Sequence, residues 1–307
     1  MSHAMLKTEP SPWFNDGFLR GMEGVTLRTR KYESSGLALA GVERRARFGL
    51  RVLQVGSHFG AGLYGTTAEL PRTLRLAFGR DIDAVSIISP LELAGLEPYR
   101  TNNSTGTIVT DLSATKEVLW RNIRKRFKGR INQATKKGNS IFWNQQQDLA
   151  EMERVYREHI ATKGYDGIDW AVVAALQGLN EPGFRLDLAL VKNPHGAPAA
   201  MAAFLVCGDT VTYFVGGSSR EQLMFYPGHY LHWQAMLRYK DMGCAKYDFG
   251  GATEDKEKRT YEITKFKQGF GGSYLMYYTY EIPLSFRFGL YQAALKLAKG
   301  LRLGRGR

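Results

Sequence analysis

The sequence predicts an α+β fold, with mixed and mostly antiparallel sheets flanked by helices, in two successive domains. Three observations predict it. Short β-rich pieces alternate with turns from about Gly24. The stretch SATKEVLWRNIRKRFKGRINQATKKG, residues 113–138, carries apolar residues at steps of three and four. Beyond residue 180 the order runs strand, strand, helix, strand, strand. A chain of 307 residues with 44% hydrophobic content can bury the core of one large domain or two moderate ones, so disorder is not the default expectation.

Each element has its own reason. VTLRTRKYE, GLALAGVERRA, FGLRVLQVG and HFGAGLYGTT are β-rich and separated by turn residues, so they read as an antiparallel meander. ELPRTLRLAFG and SPLELAGLEPY read as helical insertions, and TGTIVTDLS as a strand ending at a helix cap, either Asp111 or Ser113. In the periodic stretch that follows, Leu119, Ile123, Phe127, Ile131 and Ala134 form one apolar stripe. The other face carries Arg121, Arg124, Lys125, Arg126, Lys128, Arg130, Lys136 and Lys137, with only Glu117 to offset them. Such a density of one sign is self-repulsive unless an anion is near; a solvated helix surface is the plainer alternative.

A second unit starts near residue 140 with no sharp change in composition. Domains are therefore expected at 1–140 and 141–284, followed by a basic amphipathic tail helix at 285–307. In that tail Phe288, Tyr291, Leu295 and Ala298 form the apolar stripe, and Lys296, Lys299, Arg302, Arg305 and Arg307 supply charge. Docking on the domain, lying on an anionic membrane and binding tRNA phosphate are its three alternatives.

The formal net charge of +13 and a pI near 9.7 point to an anionic partner: nucleic acid, phospholipid headgroups or a phosphorylated substrate. Cys207 and Cys244 lack the spacing of a disulfide framework or a zinc site. No apolar run approaches the roughly 18 residues that span a bilayer, and MSHAMLKTEPSP lacks the apolar core of a signal peptide. A cytoplasmic protein is expected.

TIVTDLSATKEVLWRNIRKRFKGRINQATKKGNSIFW resembles the strand and basic helix of Fem-type aminoacyltransferases. YDFGGA paired with ITKFKQGFGG is similar to that family's C-terminal signature, and YFVGGSS with a helix precedes it in the right order. The likeness covers roughly residues 10–282. It implies two tandem GNAT-like domains sharing a cleft, with an acyl donor held between two parting strands. Members of the family typically move an amino acid from aminoacyl-tRNA onto the stem peptide of a cell-wall precursor.

Several site assignments follow from that resemblance. Lys267, in FKQGFGG, stands where the family has a lysine important for transfer, and its ammonium would stabilise the developing oxyanion. Phe266 would stack on the terminal adenosine of the tRNA. ITKFKQGFGG reads as a strand, so Lys265 and Lys267 would share one face, and DKEKR as a surface loop between two strands. Tyr213 is the candidate for the acceptor. Tyr247 and Asp248 lie in YDFGG; Asp248 either orients the amine, accepts its proton, or fixes the turn. Relatives acting on the cell wall carry an Arg and paired tyrosines where this chain has KGYDGIDW, so Lys163, Tyr165 and Trp170 would serve instead. Arg121, Arg124, Lys125, Lys128, Lys136 and Lys137 would hold tRNA phosphates.

Coenzyme-A-dependent GNAT enzymes cradle pyrophosphate on a Gly-rich loop at a helix start. Here SSREQLMFYPGHYLH has Arg220 but no glycine at the required step, and Pro227 removes an N–H donor. His229 and His232 have no company that would make a metal site or a triad, so no cofactor or metal is expected. The expected activity is transfer of an amino acid from aminoacyl-tRNA to an amine of a peptide or nucleotide-linked peptide, a peptidoglycan precursor above all. The alternatives are an N-acyltransferase using acyl-CoA or acyl-carrier protein, and a basic RNA-binding or membrane-surface protein without turnover.

Overall fold

The computed structural model describes residues 11–23, 28–34, 37–57, 62–65, 69–93, 95–97, 105–163, 167–177, 180–181 and 183–303. In chain order it begins with α1 (Asp16–Glu23), β1 (Arg28–Ser34), β2 (Leu37–Arg45), β3 (Arg51–Val55), β4 (Leu63–Gly65), α2 (Leu70–Phe78) and β5 (Ala84–Ser89). It continues through β6 (Gly106–Asp111), α3 (Lys116–Asn122), α4 (Lys125–Lys136), β7 (Ser140–Trp143), α5 (Leu149–Lys163), α6 (Trp170–Leu176) and β8 (Asn180–Glu181). Then come β9 (Phe184–Lys192), β10 (Pro198–Cys207), β11 (Thr210–Ser218), α7 (Pro227–Asp241) and β12 (Lys246–Ala252). The last elements are α8 (Tyr261–Gln268), β13 (Ser273–Met276), β14 (Tyr278–Pro283) and α9 (Phe286–Leu303). No described helix is long and apolar enough to cross a membrane.

The chain divides into two compact units. Unit 1 comprises Met1–Thr8, Thr26–Thr101 and Tyr277–Arg307; unit 2 comprises Glu9–Val25 and Asn102–Met276. This differs from a division at residue 140. The reason is pairing: β6 lies between β13 and β12 in the second sheet, which draws residues 102–140 into unit 2.

In unit 1 the sheet order is β1-β2-β3-β5-β14, with β4 pairing β2. The meander is antiparallel as its turns require, and α2 carries the chain over to the parallel pair β3/β5. Leu39, Leu53, Leu74, Val85, Ile87 and Tyr280 are in its core. SPLELAGLEPY forms turns instead of a helix where it is described: Ser89 Oγ accepts from Leu91 N at 3.0 Å, and Leu93 N donates to Tyr280 OH at 2.6 Å. The start of α9 docks here, with Phe288 packed against Leu50, Val52 and Ala84.

In unit 2 the order is β13-β6-β12-β11-β10-β9-β7, with β8 pairing β9. β9 and β10 are almost continuously apolar because both of their faces are buried. Helix α7 packs on β9, β10 and β11 and against α4, and Phe204, Met236, Tyr239, Phe249 and Phe270 share the core beneath it.

The periodic stretch is two helices rather than one. Ile123 and Arg124 are extended, with ψ of 136° and 138°, because the Arg124 N–H donates to Gly269 O at 2.9 Å instead of continuing the helix. The apolar stripe survives the break: Leu119, Ile123, Phe127, Ile131 and Ala134 are all buried. The cap is Thr115, whose Oγ1 accepts from Val118 N, while Asp111 turns back to accept from Ser113 N at 2.8 Å.

A second correction concerns residues 261–268, which form helix α8 and not a strand. DKEKR therefore joins a strand to a helix. Lys265 and Lys267, two apart on a helix, face different directions. Lys265 is half-exposed and paired with Glu262, whereas Lys267 is buried.

Candidate active site

In unit 2 the parallel ladder between β11 and β12 joins Thr210 to Lys246, Val211 to Tyr247 and Thr212 to Asp248, and goes no further. Both strands continue, β11 to Ser218 and β12 to Ala252, so they part beyond Asp248. On the other side of β12 the register with β6 shifts between Asp248 and Gly251, a bulge that takes Gly250 to φ +66°. Only glycine enters that region without steric cost.

A bulge leaves backbone polar groups without ladder partners, and two charged side chains take them up. Lys267 Nζ, reaching in from α8, donates to Gly250 O at 2.8 Å and to Gly251 O at 2.6 Å. Asp248 Oδ1 accepts from Gly250 N at 2.7 Å and from the hydroxyl of Thr107 on β6. Lys267 is 7% exposed and Asp248 8%. These bonds use two of the three ammonium N–H groups of Lys267, which leaves one for a further acceptor.

Burial displaces both ionisations. It brings Lys267 down to about 8, with the Asp248 carboxylate opposing the shift. It pushes Asp248 up to about 6, against the hydrogen bonds from Thr107 and Gly250 and the charge of Lys267. Between those values the lysine is an ammonium and the aspartate a carboxylate.

Aromatic rings pack against one another beside this pair. His232 of α7 lies 4.7 Å from Tyr213 (ring centroids), 5.1 Å from Phe249 and Phe270, and 5.7 Å from Phe266. His232 Nδ1 is 2.8 Å from Tyr247 OH, and burial together with the charge of Lys267 pushes His232 down to about 3, so it is neutral. His229 is pushed down to about 4 by burial and by Arg130 and Arg126. Arg130 Nη1 stands 3.3 Å from its Nε2. A guanidinium can only donate, so His229 holds its proton on Nδ1.

The cations of α3 and α4 reach α8 at one end and the turn into α7 at the other. At one end Arg124 Nη1 donates to Lys265 O of α8 at 3.3 Å. At the other, Arg130 lies over the Tyr226 ring at 5.5 Å, and Lys137 donates to Met224 O at 2.8 Å, in the turn that enters α7. Between them Lys128 Nζ donates to Arg121 O at 2.9 Å. Arg121, Lys125 and Lys136 are exposed.

The structure thus gathers Lys267, Phe266, Tyr213, Tyr247 and Asp248 around His232, and places the basic face of α3 and α4 beside them. It does not bring every expected residue there. Arg220 is exposed after β11, its backbone N–H held by Glu158 Oε1 of α5 at 2.8 Å. Lys163 closes α5, Tyr165 lies outside the described residues, and Trp170 is buried beside Tyr156. Tyr247 is 0% exposed, a core residue touching His232 and not an open binding surface. Sequence reasoning missed Thr107, for which a threonine in a strand carries no signal. It set His229 and His232 aside as structural, and both are buried on α7 among the aromatic rings beside Lys267.

The glycines of FKQGFGG serve the protein's own packing. A Cβ at Gly269 would run into the Phe127 ring of α4, so this glycine admits a neighbouring helix and not a substrate.

Comparison with known proteins agrees with this architecture. Residues 121–261 match the model of the acetyltransferase (GNAT) domain, a stretch that contains β11, α7 and β12 and stops before Lys267. A lipid II:glycine glycyltransferase of Staphylococcus haemolyticus is 31% identical over 84 residues, 27% of this chain and 20% of that protein. The crystal structure of FemX superposes with a TM-score of 0.68 at 14% identity, covering 91% of this chain and 93% of the other. The GNAT-like fold is shared with FemX. The C-terminal domain of a putative lysylphosphatidylglycerol synthetase from Agrobacterium fabrum shares the fold at a TM-score of 0.60 and 14% identity, over 96% of this chain and 92% of that one. The chain spans about a fifth of the length of the curated relatives it matches in sequence.

Proposed function

We propose that this protein is an aminoacyltransferase that moves an amino acid from aminoacyl-tRNA to an amine of a peptidoglycan precursor, on the cytoplasmic side of the membrane. One observation carries the reading: a buried ammonium, Lys267, sits where β11 and β12 part, with one N–H left to give. The curated relatives named lipid II:glycine glycyltransferase support the acceptor class.

In the reaction the acceptor amine attacks the ester carbonyl of the donor. A C–N bond forms, the ester C–O bond breaks, and the amine proton leaves with the ribose hydroxyl. An amide is more stable than the ester it replaces, so positioning and stabilisation of the transient oxyanion are the tasks left to the protein. Lys267 supplies the positive charge, in a buried site where it counts for more than in water. Asp248 and Thr107 fix the bulge that aims it. Phe266 stacks on the donor's adenosine, and Tyr213 contacts the acceptor, with Lys163, Tyr165 and Arg220 assigned to its outlying parts.

The donor assignment rests on the entry to α7. Pro227 occupies the first helical position and has no N–H, and the N–H groups of Gln222, Phe225 and Tyr226 already donate to the carbonyls of Ser219, Gln222 and Leu223. That turn lacks the row of backbone N–H groups that cradles a pyrophosphate, whereas the cations of α3 and α4 suit a longer polyanion. Transfer from a pool of radiolabelled aminoacyl-tRNAs to lipid-linked and nucleotide-linked precursors tests the reading. Label in the precursor supports it. Label arriving from acyl-CoA alone would replace it with the N-acyltransferase reading.

A further inference from the structure

The outer face of α9 and the turn beside it form a surface that the transfer site does not use. Within unit 1, α9 buries Phe288 against Leu50, Val52 and Ala84, with Tyr291 packed beside them. Helical periodicity gives the same helix a second apolar row, Phe286, Leu290, Ala293 and Leu297, at steps of four, three and four. That row is uncovered: Phe286 is 81%, Leu290 55% and Leu297 69% exposed. Phe48 extends it, 81% exposed, its ring 6.0 Å from Tyr291 and its carbonyl accepting from Arg287 Nη2 at 3.3 Å. Its φ of +60° is a costly conformation for a bulky residue, yet the ring is held out in solvent.

Cations outnumber anions around this row, although Arg287 Nη1 lies 3.9 Å from Asp83 and Gln292 donates to Glu281 at 3.4 Å. Arg44, Arg45 and Arg47 are exposed at the end of β2 and in the turn that carries Phe48. From Phe286 to the last residue the sequence has six Lys and Arg and no Asp or Glu. An apolar row beside an excess of cations complements a lipid surface with acidic headgroups: the rings and leucines reach the acyl boundary while the cations meet phosphate. A second copy of the chain would bring the same cations and be repelled.

We propose that unit 1 docks on anionic bilayers through the outer face of α9 and Phe48, lying in the interface. The proposal needs neither donor nor acceptor and does not depend on the transfer reading.

Co-sedimentation of the full chain with phosphatidylcholine vesicles, with and without phosphatidylglycerol, tests it. Binding is expected only with phosphatidylglycerol, and weaker at high salt. Leu290→Glu combined with Leu297→Glu should lower partitioning on the order of tenfold or more. Arg44→Gln combined with Arg45→Gln should lower it by about tenfold on anionic vesicles. Because Cys207 and Cys244 are buried, Leu290→Cys accepts an environment-sensitive dye selectively in the folded chain, and its emission should shift blue on phosphatidylglycerol vesicles. Equal partitioning of wild type and the leucine variants, or a dye that does not shift, would overturn the proposal. So would a wild-type dimer in solution that the leucine variants abolish, since a second copy would then cover the face.

Discussion

Lys267 and Asp248 are both charged in the pH range where their charges cost the fold most. For Asp248 the folded value near 6 lies above the ordinary 3.8, so its contribution to stability is present below 3.8 and lost as pH rises through about 6. For Lys267 the folded value near 8 lies below 10.5, so its contribution is present above 10.5 and lost as pH falls through about 8. Between 6 and 8 neither helps, a pattern that fits a working site better than a structural clamp. Lys267→Met relieves a desolvated charge but strands the Gly250 and Gly251 carbonyls, two effects of a few kcal/mol each and opposite sign. The unfolding temperature should therefore move little, while the rise in stability between pH 8 and 10.5 flattens; thermal melts across that range measure both. Transfer should fall below about pH 6 and above about pH 8. Thr107→Val removes a hydrogen bond that holds Asp248 down, so the acid limb of the pH–rate profile should move upward.

At the scale of elements, the α3–α4 face and the FKQGFGG turn give separable expectations. Gly269→Ala pushes a methyl group into Phe127 and should destabilise the protein by about 1–3 kcal/mol, read as a lower urea midpoint. Arg124→Glu with Lys128→Glu should weaken tRNA binding and reduce its salt dependence, measured by filter binding at several salt concentrations. Unchanged slopes would remove this face from the donor site. The stripe from Leu119 to Ala134 was legible in the sequence because burial and period coincide there. The break at Ile123 was not, since it is made by Gly269, more than a hundred residues away. Residues 261–268 read as a strand for a related reason: short, glycine-flanked and mixed in polarity, they become helical by docking, with Thr264 Oγ1 taking the Thr253 N–H and Lys267 taking the bulge.

For the whole molecule, the order of strands and helices showed the fold class, whereas the partition of the chain depended on pairing that no local pattern records. β6 is central in the second sheet, and β14 pairs with β5 of the first, so unit 1 is closed by a segment that follows unit 2 in the chain. A fragment of residues 141–307 lacks β6 and β5, and circular dichroism should show it without a cooperative melt. Family likeness singled out Lys267, but its burial was not legible in the sequence, because burial comes from the helix and the bulge together. The transfer reading stands or falls on that lysine. The most direct measurement is single-turnover transfer from aminoacyl-tRNA by the wild type and Lys267→Met at saturating donor. The rate should fall on the order of a hundredfold or more while donor affinity holds; a variant that transfers at the wild-type rate would contradict it.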